Sequence, residues 1–176
     1  MPNEKHAVLD IKESWTRVVE RLRSDAPQKW NDLNPCCTEG QLNETQKRVP
    51  ISFPDDLRVL YRCNDGQKGH SDGVFQFPKE TFDFLLGPLH GLRFLPLDDA
   101  VQLYVQLSKD KDLDVFVPED FPFAHDGSWD MLCMHAPGGE IFGMWTGGPD
   151  WTLPRDWQTA RKLLAPNMAD FLAKIF

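Results

Sequence analysis

The side chains best suited to chemistry crowd into FPFAHDGSWDMLCMH, residues 121–135, which holds two His, two Asp, one Ser and one Cys. A zinc site would need about four converging ligands, usually in short paired spacings. Cys133 and His135 alternate onto one face of a strand, with His125, Asp126 and Asp130 close by. No CxxC, HxH or HxxxH pair completes the set, and His70 and His90 stand isolated. A hydrolase would use Ser128 with a His and an Asp, but the GxSxG elbow that exposes such a serine is missing. A Cys133–His135 nucleophile pair fails on geometry, because i and i+2 neighbours on a strand stand about 7 Å apart.

The stretch therefore reads as a turn rich in Asp, Gly and Ser that enters a strand. Other signatures of catalysis are absent too. There is no phosphate-binding loop and no GxGxxG. Gly138-Gly139 and Gly147-Gly148 suit turns, and Asp55-Asp56 and Asp98-Asp99 suit helix starts, where carboxylates oppose the helix dipole. No catalytic residue, metal ligand or cofactor is expected.

The elements that position this turn follow from periodicity. Ile11, Trp15, Val18, Val19 and Leu22 mark the apolar stripe of a first helix. Thr38 with Gln41 forms a capping-box pattern, predicting a helix from Glu39 that Pro50 ends. A third helix starts at Pro54, buries Leu57, Leu60 and Tyr61, and stops at Asn64-Asp65-Gly66. Strands are expected at Val74–Phe77, Gly91–Leu95, Met131–His135 and Glu140–Thr146, the last two joined by a Pro-Gly-Gly turn. Asp98 is expected to cap a helix burying Ala100, Leu103, Tyr104 and Leu107. A helical stretch through Trp157, Ala160 and Leu164 precedes Pro166, and Asn167 caps a last helix burying Met168, Phe171, Leu172 and Ile175. Helices, then a mainly antiparallel sheet with one inserted helix, then helices, make an α+β fold in one domain over 1–176.

The chain has 176 residues and a formal net charge of −8, which disfavours nucleic acid and speeds capture of basic partners. No apolar run reaches the roughly 18 residues a membrane span needs. The four cysteines form no CxxC, and the N-terminal stretch has no apolar signal core, so a reducing, cytoplasmic location is expected. Of the six tryptophans, Trp15 belongs to a helix core, while Trp129, Trp145, Trp151 and Trp157 bunch near turns. Tryptophan dominates many binding interfaces, and Trp129, directly after Asp-Gly-Ser, is the one least explained by packing.

Several motifs, taken in order, resemble the SUKH superfamily of fungal Smi/Knr-like cell-wall synthesis regulators and bacterial toxin-immunity proteins. They are the helix carrying Trp15; LNPCCTEGQLNETQ, similar to a Pro-x-x-Thr/Ser start with Leu42 following; and ISFPDDLRVLYRCNDG, where Phe53-Pro54 opens a helix and Asn64-Asp65-Gly66 closes it with one inserted Asp. GLRFLPLDDAVQLY resembles the family's strand and helix, and GGEIFGMW its later strand. In FPFAHDGSWDMLCMH, Pro122, Ala124, Asp126, Gly127 and Asp130 fill matching places, and Trp129 stands where glycine is usual. NMADFLAKIF resembles the closing helix, departing at Asn167 and Met168, and residues 149–164 have no counterpart.

The resemblance spans roughly residues 12–176. It implies a single twisted, mainly antiparallel sheet flanked by helices, with no enzyme activity and no cofactor. It further implies a cognate protein toxin as partner, such as a basic nuclease or deaminase domain, or else a scaffold role like that of the fungal members. The chemistry of the side chains nominates Asp126, Trp129 and Asp130 in the turn, Trp145 and Trp151 beside it, and Asp110, Asp112 and Asp114 on an acidic loop as partner contacts.

Overall fold

A computed structural model of the chain describes residues 4–76, 91–110, 116–127, 130–145 and 161–175, with the backbone alone for residues 4–10 and Trp145. Helix α1 runs Glu4–Asp25, and its apolar stripe buries Ile11, Trp15, Val18 and Leu22. A short α2 (Pro27–Asn31) follows. Helix α3 (Glu39–Gln46) carries the full capping box: Thr38 Oγ1 accepts from the Gln41 N–H, and Gln41 Oε1 accepts from the Thr38 N–H. Helix α4 (Asp55–Cys63) follows Pro54 and buries Leu57, Leu60 and Tyr61 completely. Helices α1, α3 and α4 match what capping and periodicity predict, whereas α2 was not foreseen.

One antiparallel sheet holds β1 (Arg93–Phe94), β2 (Asp120–His125), β3 (Asp130–His135), β4 (Ile141–Trp145) and β5 (Arg161–Ala165), in chain order. Helix α5 (Leu97–Lys109) joins β1 to β2, and α6 (Met168–Leu172) closes the chain, capped by Asn167 Oδ1, which accepts from the Asp170 N–H at 2.8 Å. The arrangement is α+β. No helix among the described residues is long and apolar enough to cross a membrane.

The middle of β3 is buried on both faces, which explains its continuous Met-Leu-Cys-Met run. Leu132 and Met134 belong to the main core, with residues of α1, α4 and α6. Met131 and Cys133 join Met144 and Leu107 in a second cluster. The main core centres on aromatic rings. Phe94 packs against Trp15 and Phe75, and Phe75 against Phe123 and Phe171, with centroids 5.6–5.8 Å apart, the spacing edge-to-face pairs favour.

Four elements differ from expectation. Val74–Phe77 contributes a single bridge, Phe75 to Leu92, and Phe77 lies outside the described residues. Gly91–Leu95 shortens to β1. Asp98 sits inside the first turn of α5 rather than capping it. The cap comes from Asp65, whose Oδ1 accepts from the Leu97 N–H at 2.7 Å. Helical spacing through Leu164 is overturned by β5, where Leu163 is exposed and Leu164 fills the space that Gly143 leaves open on β4; Trp157 and Ala160 lie outside the described residues.

The Asn64-Asp65-Gly66 stop is a structural hub. Asn64 Oδ1 accepts from Trp15 Nε1 at 2.9 Å, while its Nδ2 donates to the Asn34 carbonyl. Gly66 has φ +67°, and a Cβ there would lie 2.3 Å from the Pro96 nitrogen, so no other residue fits. Beyond it, the loop 67–71 wraps the buried Asp32, which accepts from the N–H groups of Gly69, His70 and Ser71 and from the side chains of Ser71 and Gln67. Burial alone would raise the Asp32 carboxyl; these hydrogen bonds outweigh it and hold the group below its usual range.

Candidate partner-binding surface

FPFAHDGSWDMLCMH is a β-hairpin rather than a turn entering a single strand. Phe121–His125 belongs to β2, and the chain returns as β3 from Asp130. Pro122 disguises the first strand, since it can donate nothing to a ladder. It is accommodated by an irregularity in register between Pro122 and Ala124.

At the tip, the Asp126 N–H donates to the Asp130 carbonyl at 3.0 Å, and Asp126 Oδ1 accepts from the Asp130 N–H at 3.1 Å. Gly127 takes φ +88° with open space around it, and its N–H donates to His125 Nδ1. The two carboxylates are thereby locked onto one turn. Asp130 Oδ1 is buried with no hydrogen-bond partner among the described residues. Burial, and then the neighbouring charge of Asp126, push the Asp130 carboxyl up to about 6. Burial pulls His125 below its ordinary value. A buried carboxylate oxygen with no donor, beside a second acid, is expensive, and perturbed groups of this kind concentrate where proteins bind or react.

Asp110 caps the C-terminal end of α5. Trp145 ends β4, opposite Asp130 in the ladder, and its side chain is outside what the structure describes. Trp129, Trp151, Asp112 and Asp114 lie outside the described residues, as does Ser128.

Cys133 is fully buried, and burial, reinforced by Asp120, pushes its thiol well up, the opposite of what a nucleophile needs. His135 turns away from it to Asp120, with Nδ1 2.8 Å from Oδ1. Among the described residues no group of three or more His, Cys, Asp or Glu side chains could hold a metal ion.

Two features escaped the sequence. The first is a cluster on the sheet face opposite the main core. Asp120, with 0% exposure, takes two hydrogen bonds from Arg161, Nε–Oδ2 at 2.5 Å and Nη2–Oδ1 at 2.8 Å. The guanidinium lies over the Phe142 ring, 3.2 Å from its centroid. The second is a cleft where the starts of α4 and α6 meet the β3–β4 turn, lined by Asp55, Asp56 and Asp170 among others. Burial raises the Asp56 carboxyl, and its Oδ2 accepts from the Met168 N–H at 3.2 Å. The Asp-Asp pair at the start of α4 was legible; its docking against α6 was not.

Comparison with known proteins agrees with this architecture. The family model described as SMI1/KNR4 family (SUKH-1) matches residues 36–174. Among curated proteins, the chain is similar to "KNR4/SMI1 homolog 1" of Debaryomyces hansenii, 24% identical over 99 residues, or 56% of this chain and 20% of the relative. The chain thus spans about a fifth of that relative's length.

Proposed function

The chain belongs to the SMI1/KNR4 family (SUKH-1), and on that premise we propose that it is an immunity-type protein, which neutralises a cognate bacterial toxin by forming a stoichiometric complex in the cytoplasm. It acts by covering the toxin's working surface and catalyses nothing itself. The observation that carries this reading is the Asp126–Asp130 pair, whose buried, unpartnered oxygen is costly in the free protein. A lysine or arginine of a basic partner set against the turn would offset the repulsion between the two acids. The net charge of −8 would accelerate the encounter. On this reading the neighbouring gene encodes a toxin, and co-expression tests it: cells that make both proteins should grow, and a harmless neighbour or continued killing would count against it.

A second reading, a scaffold or regulator without enzymatic activity, is favoured by the likeness to "KNR4/SMI1 homolog 1". It predicts a stable partner that is not a toxin and no protection in the same assay.

A further inference from the structure

The Asp120–His135–Arg161 cluster fixes more than the sheet. Asp120 already accepts two hydrogen bonds from Arg161, so it serves its neighbours as an acceptor only. His135 Nδ1 lies 2.8 Å from the same carboxylate, a distance that requires a proton between them, and that proton sits on Nδ1. The 3.4 Å approach of Arg161 Nη2 to Nδ1 is then a contact between two donors, not a hydrogen bond. The imidazole is further held edge-on against Phe142, centroids 6.2 Å apart. In the neutral ring its other nitrogen, Nε2, carries a lone pair. It is not buried, and it has no partner among the described residues, on a side chain that is 27% exposed.

The same sheet face carries Leu163, which pairs with Phe142 in the ladder and is 55% exposed, the exposed large apolar side chain of the described residues. Arg161 shares this face, but its charge is engaged by Asp120. Lys162 alternates to the other side of β5. What the patch offers is therefore an oriented acceptor on β3 and, across Phe142 on the same face, an apolar knob on β5.

We propose that His135 is the polar anchor of a partner-binding patch, with Nε2 accepting a hydrogen bond from an arginine or lysine of a basic protein partner whose aliphatic stem lies on Leu163. Carbonyl and carboxylate groups bring no donor to the lone pair of the neutral ring, and so do not fit this place. A long cationic side chain brings a donor and an apolar stem together, and the chain's net charge of −8 attracts it. The inference rests on the reading of the chain as a partner-binding protein, and it adds a second contact to the hairpin tip.

The test is long-range 15N–1H NMR of the histidines, alone and with acetyl-Leu-Arg-Leu-Arg-amide as probe. The free protein should show His135 as the Nδ1–H tautomer. The peptide should move the Nε2 resonance saturably. His135→Phe, or replacing the peptide arginines by citrulline, should weaken binding at least fivefold. An Nε2–H tautomer in the free protein, or an Nε2 resonance that the peptide leaves in place, would overturn the proposal. So would a His135→Phe variant that binds as well as the wild type. A chain that protects cells from its toxin yet fails this test loses the anchor alone.

Discussion

Arg161, the first residue of β5, forms a two-pronged ion pair with Asp120, the first residue of β2, across the two intervening strands. The pair is nearly removed from water, with side-chain exposures of 12% and 0%. It closes the sheet like a strap, tying an edge strand to the strand that starts the hairpin.

A strap of this kind is strongly destabilising when half of it is removed, because the surviving charge stays buried. Arg161→Met should cost about 3–5 kcal/mol. Asp120→Leu combined with Arg161→Met should cost clearly less than the two single changes added together. Urea unfolding of the three variants decides this, and strict additivity would mean that the two side chains do not work as a pair.

The hairpin tip makes the opposite prediction. The Asp130 carboxyl stands at about 6 in the folded chain, above the roughly 3.9 of an unfolded aspartate. The folded chain therefore holds that proton more tightly than the unfolded chain does. The associated stability is present below about pH 4 and is lost as pH rises through about 6. Asp130→Asn should remove this slope and make the protein more stable at pH 7 by about 1–2 kcal/mol, allowing for solvent screening. Thermal melts at pH 4.5 and pH 7 measure it. A variant destabilised at pH 7 would show that the Asp126–Asp130 pair carries no strain.

At the hub, two adjacent residues should respond very differently. Asp65→Ala removes the cap of α5 and should cost about 1 kcal/mol. Gly66→Ala forces a Cβ onto the Pro96 backbone at positive φ and should cost more than about 2 kcal/mol. Denaturant midpoints of the two variants test the ranking.

How much of this was legible depended on how local each signal is. The starts of α3 and α6 were readable because a cap and its partner lie three residues apart: Thr38 with Gln41, Asn167 with Asp170. The turn was readable from its Asp, Gly and Ser, but not that it closes a hairpin. Strand β2 was hidden by Pro122. Strand β5 was hidden because Trp157, Ala160 and Leu164 fall at helical spacing, and nothing local says that Leu164 packs over Gly143. The Asp120–His135–Arg161 cluster joins residues 15 and 41 positions apart, which only the sheet register brings together. The inserted Asp65 looked like an irregularity in a family motif, and its role appears only once α5 is seen to start against it.

The most direct test of the central claim is isothermal titration calorimetry of the purified chain against the protein encoded beside its gene, which the account expects to be a toxin, with Asp126→Asn/Asp130→Asn as the comparison. The account predicts a one-to-one complex, with affinity reduced at least tenfold in the double variant. A wild-type chain that gives no binding heat across a range of temperatures, or a double variant that binds as tightly as the wild type, would contradict it.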